Sequence, residues 1–321
     1  MSRSDLAAEH KVLKFLRSGV HLPKSLLLAV SGGIDSMAMV EILSRWQRHL
    51  KIDLALAHVH HGLTDDTGQS RFRTQALAHV RELACRRGLA FYSNPAVRSD
   101  LRSEEELRDF RREWLCRWQR ESGADAIGLA HHRNDLLETR VFRLIRGTGP
   151  EGLRAMSLFR DGMFRPLLCL SRGEIEAYAR TRRLNWLDDP SNIKVDAFRN
   201  WIRKQWLPQL EQRQAGAVEA LARSLEVVAA AGSCEAKEFE SESPIESPDV
   251  GLRRKPIQRL PQLQREAHVA RYFKALRLKG YSQAHVRELL KRLDTDRKNF
   301  EFEMLGLRFI VTPDLVSVSR V

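Results

Sequence analysis

Short apolar runs punctuate the first two-thirds of the chain: Ser25 to Val30, Asp53 to Val59, Leu89 to Tyr92 and Asp125 to Ala130. After each comes a longer segment of mixed polar and apolar residues. Runs of strand length separated by helical stretches predict βαβ units wound into a parallel sheet. The expected fold class is α/β, a doubly wound, mostly parallel and Rossmann-like sheet followed by a smaller helical or α+β C-terminal domain.

Ser103-x-x-Glu106 has the capping-box spacing that opens a helix, and Leu107, Phe110, Trp114 and Trp118 recur behind it on a face expected to be core. A further helical stretch, Phe198 to Leu207, is expected to close at Pro208, and another runs from about Gln214 to Ala231. Composition then shifts. Residues 235–249 hold six acids, one Lys, three Ser and two Pro, which predicts an exposed linker or loop. Residues 250–298 hold 14 Lys and Arg against 4 acids, on helical patterns around His268 to Leu278 and Ser282 to Leu293. From Phe300 to Val318 the chain alternates apolar and polar residues around Gly306, which predicts short strands. The predicted domains are 1–213, and 214–321 with the acidic loop 235–249.

Composition adds a partner class. The 321 residues carry a net charge of +13, and 42 of the 54 cations are Arg. Arginine's planar, bidentate donor suits phosphates and base edges, so a polyanionic partner is expected. An apolar content of 43% is enough for packed cores and excludes wholesale disorder or a fibrous class. No apolar run approaches the roughly 20 residues that cross a bilayer, and Met1 to Phe15 lacks the apolar core of a signal peptide, so a cytoplasmic location is expected. Cys85, Cys116, Cys169 and Cys234 form no CxxC pair, so neither a disulfide framework nor a tetrahedral zinc site is signalled.

The most informative stretch runs from the first apolar segment into Ser31-Gly32-Gly33-Ile34-Asp35-Ser36 and on into a helical pattern. Two glycines let the backbone approach a ligand closely, free N–H groups and the helix dipole attract phosphate, and two hydroxyls add donors. Asp35 could hold a Mg²⁺ that bridges such phosphates. An ordinary glycine-rich βα turn would need only the glycines, whereas here the whole string stands between a strand and a helix. It resembles the SGGxDS pyrophosphate loop (PP-loop) of the N-type ATP pyrophosphatase superfamily, whose members split ATP into AMP and pyrophosphate while adenylating a substrate. A Walker A string is absent. Gly147-Thr148-Gly149-Pro150-Glu151-Gly152 matches GxGxxG in letters only, because a helical pattern rather than a strand precedes it.

The second strand ends in Ala57-His58-Val59-His60-His61-Gly62-Leu63 and the fourth in Ala130-His131-His132-Arg133-Asn134-Asp135-Leu136-Leu137-Glu138-Thr139. Doubly wound folds bind ligands at such strand ends. Asn134 is expected to cap the following helix, and Asp135 and Glu138, three apart, share one helical face. Paired carboxylates beside a phosphate loop could bind Mg²⁺, hold an ammonium or accept a proton; a solvated acidic first turn is the plainer alternative.

HVHHGL, AHHxxDxxET followed by RGTGPEGL, Arg165-Pro166-Leu167-Leu168, Asp188-Asp189-Pro190-Ser191-Asn192 and Arg199-Asn200-x-x-Arg203, in that order after SGGIDS, resemble the tRNA(Ile)-lysidine synthetase family over about residues 25–208. The resemblance implies ATP-dependent adenylation of the wobble cytidine of an isoleucine tRNA with anticodon CAU. Attack by the ε-amine of free L-lysine then gives lysidine and releases AMP. By the same resemblance Ser31, Gly32, Gly33, Asp35 and Ser36 hold ATP, and Asp35 and Asp135 are the candidate Mg²⁺ ligands. Asp35, Asp135, Glu138, Arg111, Arg203 and His131 line the catalytic centre, with Arg108 one turn from Arg111. The C-terminal domain binds tRNA, no membrane is involved, and a homodimer is possible. Many family members read HHxDDQxET, where this chain has Asn134 and Leu136, and long forms carry a further C-terminal domain. The alternatives are another PP-loop enzyme such as a tRNA 2-thiolation enzyme, a GMP synthetase or an NAD synthetase; a non-catalytic RNA-binding protein; and a metal-dependent hydrolase.

Overall fold

Leu26, Leu27 and Leu28 are successive apolar residues, so their strand presents apolar side chains on both faces and belongs in the middle of a covered sheet. In the computed structural model that strand, β1 (Ser25–Ala29), lies between two parallel neighbours, β2 (Asp53–His58) and β4 (Ala126–Gly128). The structure describes residues 3–17, 22–97, 103–188, 197–239, 245–247, 251–260, 262–276, 278, 280–295, 297 and 299–320.

The six-stranded sheet has the order β3-β2-β1-β4-β6-β5, with β3 (Ala90–Ser93), β5 (Phe159–Arg160) and β6 (Met163–Phe164). Strands β1, β2, β3, β4 and β6 run parallel, and the short β5 is antiparallel at the edge. Asp161 and Gly162, both with positive φ, make the two-residue turn between β5 and β6. Strand order reverses direction between β1 and β4, which opens a crevice at their carboxyl ends. Gly128 leaves room for its neighbour there: a Cβ at this position would stand 2.4 Å from Leu28 Cδ2, so any larger residue would displace that buried side chain.

Helices α1 (Arg3–Arg17), α2 (Ile34–Leu50), α3 (Thr67–Arg87) and α4 (Glu104–Ser122) belong to this sheet's unit, and α4 opens with the expected Ser103–Glu106 capping box. Trp118 is buried and packs with Leu115, Phe110 and Trp114 against Leu27 and Ile127. The chain continues through α5 (Arg133–Ile145), α6 (Pro150–Leu153) and α7 (Arg172–Thr181). Glu9 on α1 is fully buried and accepts from Trp46, Tyr178, Arg182 and Arg45, tying α1 to α2 and α7. Burial pushes its carboxyl up, but the bonds from Trp46, Tyr178 and Arg182 outweigh that and hold it below the usual range.

Pro208 does not end its helix. After α8 (Ala197–Trp201) the residues Ile202–Trp206 form a π turn, in which the Leu207 N–H reaches back five residues to the Ile202 carbonyl. A fresh α segment, α9 (Leu207–Arg213), then starts, with Pro208 in its first turn, where the missing N–H has little cost.

Helix α10 (Ala217–Phe239) runs on past Ala231 into the acidic segment, and Ile245–Ser247 pairs as β7, so 235–249 is not simply a loop. Residues 240–244 and 248–249 lie outside the described residues. The expected C-terminal strands form a second, antiparallel sheet, β7-β8-β11-β10-β9, with β8 (Gly251–Arg253), β9 (Phe300–Met304), β10 (Leu307–Val311) and β11 (Leu315–Arg320). It packs with α11 (Arg254–Gln258), α12 (Gln262–Ala275) and α13 (Gln283–Leu293) around Tyr272, Phe273, Leu289, Leu290 and Phe309.

The chain divides into two compact units, residues 1–139 with 156–215, and residues 140–155 with 216–321. The second unit therefore includes the RGTGPEGL segment as well as the basic C-terminal part.

Candidate active site

Strand β1 ends at Ala29, and Val30 donates to the Ala57 carbonyl before the chain turns through Ser31-Gly32-Gly33 into α2. Gly32 has φ +91°, a conformation open to glycine and strained for other residues. Gly33 is the N-cap of α2 and offers no side-chain acceptor to the first-turn N–H groups. Ser36 Oγ donates to the Gly33 carbonyl at 2.8 Å and lies 3.3 Å from Ser31 Oγ, so the two hydroxyls brace the loop from inside. Leu187 N–H donates to the Gly32 carbonyl at 3.0 Å, which brings Asp188 of the DDPSN motif beside the loop; Asp189 to Asn192 lie outside the described residues.

Across the crevice, His132 rather than Asn134 caps α5. Its N–H donates to Asp135 Oδ2 at 3.0 Å and its Nδ1 accepts from Asp135 N at 3.4 Å, a reciprocal box with histidine in the usual serine position. That arrangement makes Nδ1 the acceptor and leaves the Nε2 proton facing Asp35 Oδ1, 3.9 Å away. Asn134 instead accepts from Arg172 N at 3.0 Å and so caps α7, where Ser171 also takes the Glu174 N–H. Asn134 is the second residue of α5, and its short amide points away from its own helix end toward Arg172.

Arg203 reaches Asp135 and Glu138. Its Nε and Nη2 donate to Glu138 Oε1 and Oε2, both at 2.7 Å, and Nη2 also reaches Asp135 Oδ1 at 3.2 Å. Glu138 is buried, and its hydrogen bonds raise the affinity of the guanidinium for its proton further. The π turn holds Arg203, and π turns recur where a side chain must be re-aimed at a site. Arg203 thus occupies the carboxylates here rather than facing a phosphate.

Asp35 is half-buried, and its Oδ1, enclosed from solvent, has no hydrogen-bond partner among the described residues. Burial raises its carboxyl above the usual range; Asp135 adds to the rise, while His132, Arg172 and Arg203 oppose it. A buried oxygen without a donor fits a carboxylate that completes its shell with a cation. Among the described residues no group of three or more His, Cys, Asp or Glu forms a metal cage. A Mg²⁺ held by one carboxylate and substrate phosphates needs no such cage.

Three of the histidines are neutral bases or packing groups rather than charges. Burial pulls His58, His61 and His131 down to about 4. His58 Nδ1 donates to the Val30 carbonyl at 2.8 Å, clamping the end of β2 to the start of the phosphate loop. Arg111 acts electrostatically on both His61 and His131, which places its charge at the crevice; Arg108 stands one turn earlier. The motifs gave no sign of Arg73, which donates to the His61 and Gly62 carbonyls, or of Arg172, whose charge reaches Asp35. Neither stands in a motif, and only the folded chain brings them in. Arg165 serves structure, bonding the Ser157 and Met163 carbonyls beside the β5–β6 turn.

The GxGxxG look-alike follows a helix, as expected, and is folded back by Arg140 and Arg143, which donate to the Leu153 and Gly152 carbonyls. In the second unit Arg253, Lys255 and Lys274 are exposed, whereas Arg254 is buried and spends its guanidinium on the carbonyls of Leu293, Thr295, Arg297 and Thr312. Among the described residues no helix is long and apolar enough to cross a membrane.

Residues 4–210 match the PP-loop domain family model. The chain is 36% identical to the tRNA(Ile)-lysidine synthase of Bdellovibrio bacteriovorus, over 99% of both chains. It is 35% identical to the tRNA(Ile)-lysidine synthase of Thermotoga maritima over 66% of its own length, and spans about half (50%) of that longer relative. Among solved structures, the U34-tRNA thiolase NcsA from Methanococcus maripaludis is similar in fold, with a TM-score of 0.58, 18% identity, and 70% of this chain and 78% of that chain covered.

Proposed function

The chain belongs to the tRNA(Ile)-lysidine synthase family, built on a PP-loop domain, and on that premise we propose which groups carry its reaction and with which substrates. The enzyme is a ligase that uses ATP and forms a C–N bond on tRNA. ATP enters with its phosphates over Ser31 to Ser36, where the uncapped first turn of α2 offers N–H donors. The C2 oxygen of the wobble cytidine attacks the α-phosphorus, and the bond to pyrophosphate breaks. The ε-amine of lysine then attacks C2, the C2–O bond breaks, and AMP leaves with that oxygen. A bound Mg²⁺ would neutralise phosphate charge, and Asp35, with Asp135 nearby, is the group to hold it.

Lysine arrives as an ammonium and must lose a proton before it attacks. Glu138 and Asp135 present carboxylates for both tasks, and Arg203 now occupies that cation position. In the proposed cycle Arg203 swings toward the phosphates or the leaving AMP, and the lysine ammonium replaces it on the carboxylates. Arg111 adds positive charge on the side of His131, whose neutral ring borders the reacting base. The exposed cations of the C-terminal part, 214–321, bind the tRNA backbone. A homodimer and a cytoplasmic location belong to the same reading.

The observation that supports this reading is the Asp35 Oδ1 without a hydrogen bond beside the phosphate loop, 3.9 Å from His132 Nε2, with Asp135 and Glu138 held by Arg203 on the other side of the crevice. Sulfur transfer fits less well: Cys169 is half-buried with its thiol pushed up to about 12, the reverse of a reactive thiolate, and Cys85 lies exposed on α3. Incorporation of labelled lysine into isoleucine tRNA, with methionine tRNA as control, tests the reading. No incorporation, or incorporation that does not need ATP, would sink it.

A further inference from the structure

Residues 25–44 contain the acids Asp35 and Glu41 and no Lys or Arg, so the phosphate loop brings no cation of its own to a bound triphosphate. A Mg²⁺ offsets only part of the charge of such a ligand, and phosphate sites recruit a guanidinium or ammonium for the rest. Two guanidinium groups act on the Asp35 carboxyl, Arg172 more strongly than Arg203. Arg203 is spent on Glu138 and Asp135. Arg172 is the first residue of α7, and backbone groups stitch it to the start of α5: its N–H donates to Asn134 Oδ1 at 3.0 Å, and Arg133 N–H donates to the Leu170 carbonyl at 2.8 Å. His132, immediately before α5, has its Nε2 3.9 Å from Asp35 Oδ1, so the Arg172 backbone is fixed at the rim of the same crevice. Its side chain is held far less firmly. Nε donates to Glu176 Oε1 at 3.0 Å, one turn along α7, in a pair whose side chains are 48% and 35% exposed and which is therefore weak.

We propose that Arg172 is a phosphate clamp: when ATP binds, its guanidinium leaves Glu176, turns back over the phosphate loop and takes the β- and γ-phosphates, the part that departs as pyrophosphate. The inference rests on the function proposed above and names the cation that its first step requires. An anchored backbone with a long, mobile stem lets the head change partner without moving the helix, and the planar fork matches a pair of phosphate oxygens. As the bond from the α-phosphorus to the pyrophosphate oxygen breaks, negative charge collects on the leaving group; the guanidinium neutralises it and keeps its own protons throughout. Glu176 competes for the same fork, so it sets how readily the clamp is released to the nucleotide, and it takes the guanidinium back when pyrophosphate departs.

The test measures ATP and pyrophosphate kinetics of the full chain with isoleucine tRNA and lysine. Arg172→Ala should raise the KM for ATP roughly 10- to 100-fold and weaken inhibition by added inorganic pyrophosphate by a similar factor, with the KM for lysine near that of wild type. Arg172→Lys keeps the charge without the fork and should recover part of both. Glu176→Gln removes the competitor and should lower the KM for ATP by up to about fivefold, an improvement that vanishes when it is combined with Arg172→Ala. A merely structural arginine would not show that coupling. The Arg172 N–H that Asn134 accepts is retained in every variant, and thermal midpoints check that the fold is kept. Wild-type KM for ATP and wild-type pyrophosphate inhibition in Arg172→Ala, or a Glu176→Gln effect that is the same with and without Arg172, would overturn the clamp. Absence of lysine incorporation by the wild-type enzyme strikes the parent reading, whereas normal wild-type incorporation with Arg172→Ala kinetically indistinguishable from it strikes only this one.

Discussion

Arg203 holds Glu138 by two parallel hydrogen bonds of 2.7 Å, and the carboxylate it holds is buried while the guanidinium is partly exposed. Removing the arginine leaves a buried carboxylate short of donors, so Arg203→Ala is expected to cost about 1–3 kcal/mol of stability, reduced from a fully buried pair by solvent at the Arg end. Arg203→Lys keeps the charge and loses the fork, and should fall between wild type and Arg203→Ala. Urea unfolding measures the first effect. Steady-state lysidine formation should drop in kcat for both variants, and an Arg203→Ala enzyme of normal stability would show that the fork is not structural.

Asp35 pulls stability and activity in opposite directions. Its buried Oδ1 lacks a donor and its carboxyl sits above the usual range because of burial, so the nucleotide-free protein gains nothing from the charge. Asp35→Asn is expected to leave the free protein as stable or up to about 1 kcal/mol more so, a rise of roughly 2–4 °C in Tm. AMP formation should fall by about 10²-fold or more, with tRNA binding retained. Differential scanning fluorimetry and an AMP-release assay check both, and normal turnover in this variant removes Asp35 from the ATP site.

The sheet, the phosphate loop and the two strand-end clusters were legible because each follows from local pattern: an all-apolar strand, a glycine turn, a polar cluster at a strand end. The C-terminal strands around Gly306 were legible for the same reason. What escaped depends on residues distant in sequence. Asn134 and Arg172 are 38 positions apart, and Arg203 meets Glu138 from 65 positions away. Pro208 misled because a π turn shifts the backbone pairing before it, and periodicity carries no sign of that. Residues 140–155 cluster with the second unit although α5 begins in the first, a division no composition shift marks.

Asn134 is a helix cap for α7 rather than for α5, so its truncation acts at a distance from its own backbone. Asn134→Ala is expected to cost about 1 kcal/mol, the usual value of a missing cap. Asn134→Asp keeps an acceptor for the Arg172 N–H and should retain most of the stability. Thermal denaturation of the pair decides it, and equal melting of Ala and Asn forms would mean that Ser171 alone suffices for α7.

Protonation of buried histidines gives stability a pH dependence. His58 titrates near 4 in the folded chain because burial penalises its charge, against 6.5 when unfolded. Between those values the unfolded chain binds protons that the folded chain refuses, so stability is complete above about pH 6.5 and falls as the pH drops toward 4. The decrease from His58 alone is on the order of 2 kcal/mol by pH 5. His58→Asn keeps a donor for the Val30 carbonyl and should flatten the dependence. Urea unfolding at pH 7.5 and pH 5 measures it; an unchanged difference between the two pH values would assign the acid sensitivity to other groups.

The basic C-terminal unit contains two kinds of arginine, and they should fail differently. Arg254 is buried and donates to four backbone carbonyls, from Leu293, Thr295, Arg297 and Thr312, so it joins α13 and its following turn to the strand connection at Thr312. Arg254→Glu sets a carboxylate against those oxygens and is expected to unfold this unit. Arg253, Lys255 and Lys274 are exposed, and the Lys255–Asp314 pair is exposed at both ends and so worth little. Reversing these three together should leave the fold intact, weaken tRNA binding and reduce its salt dependence by roughly one unit of slope for each phosphate no longer neutralised. Affinity measured by filter binding between low and high salt separates the cases, because a misfolded unit binds poorly at every salt concentration whereas an unneutralised phosphate changes the slope. Wild-type slope and affinity in the triple variant would place the tRNA backbone on another surface.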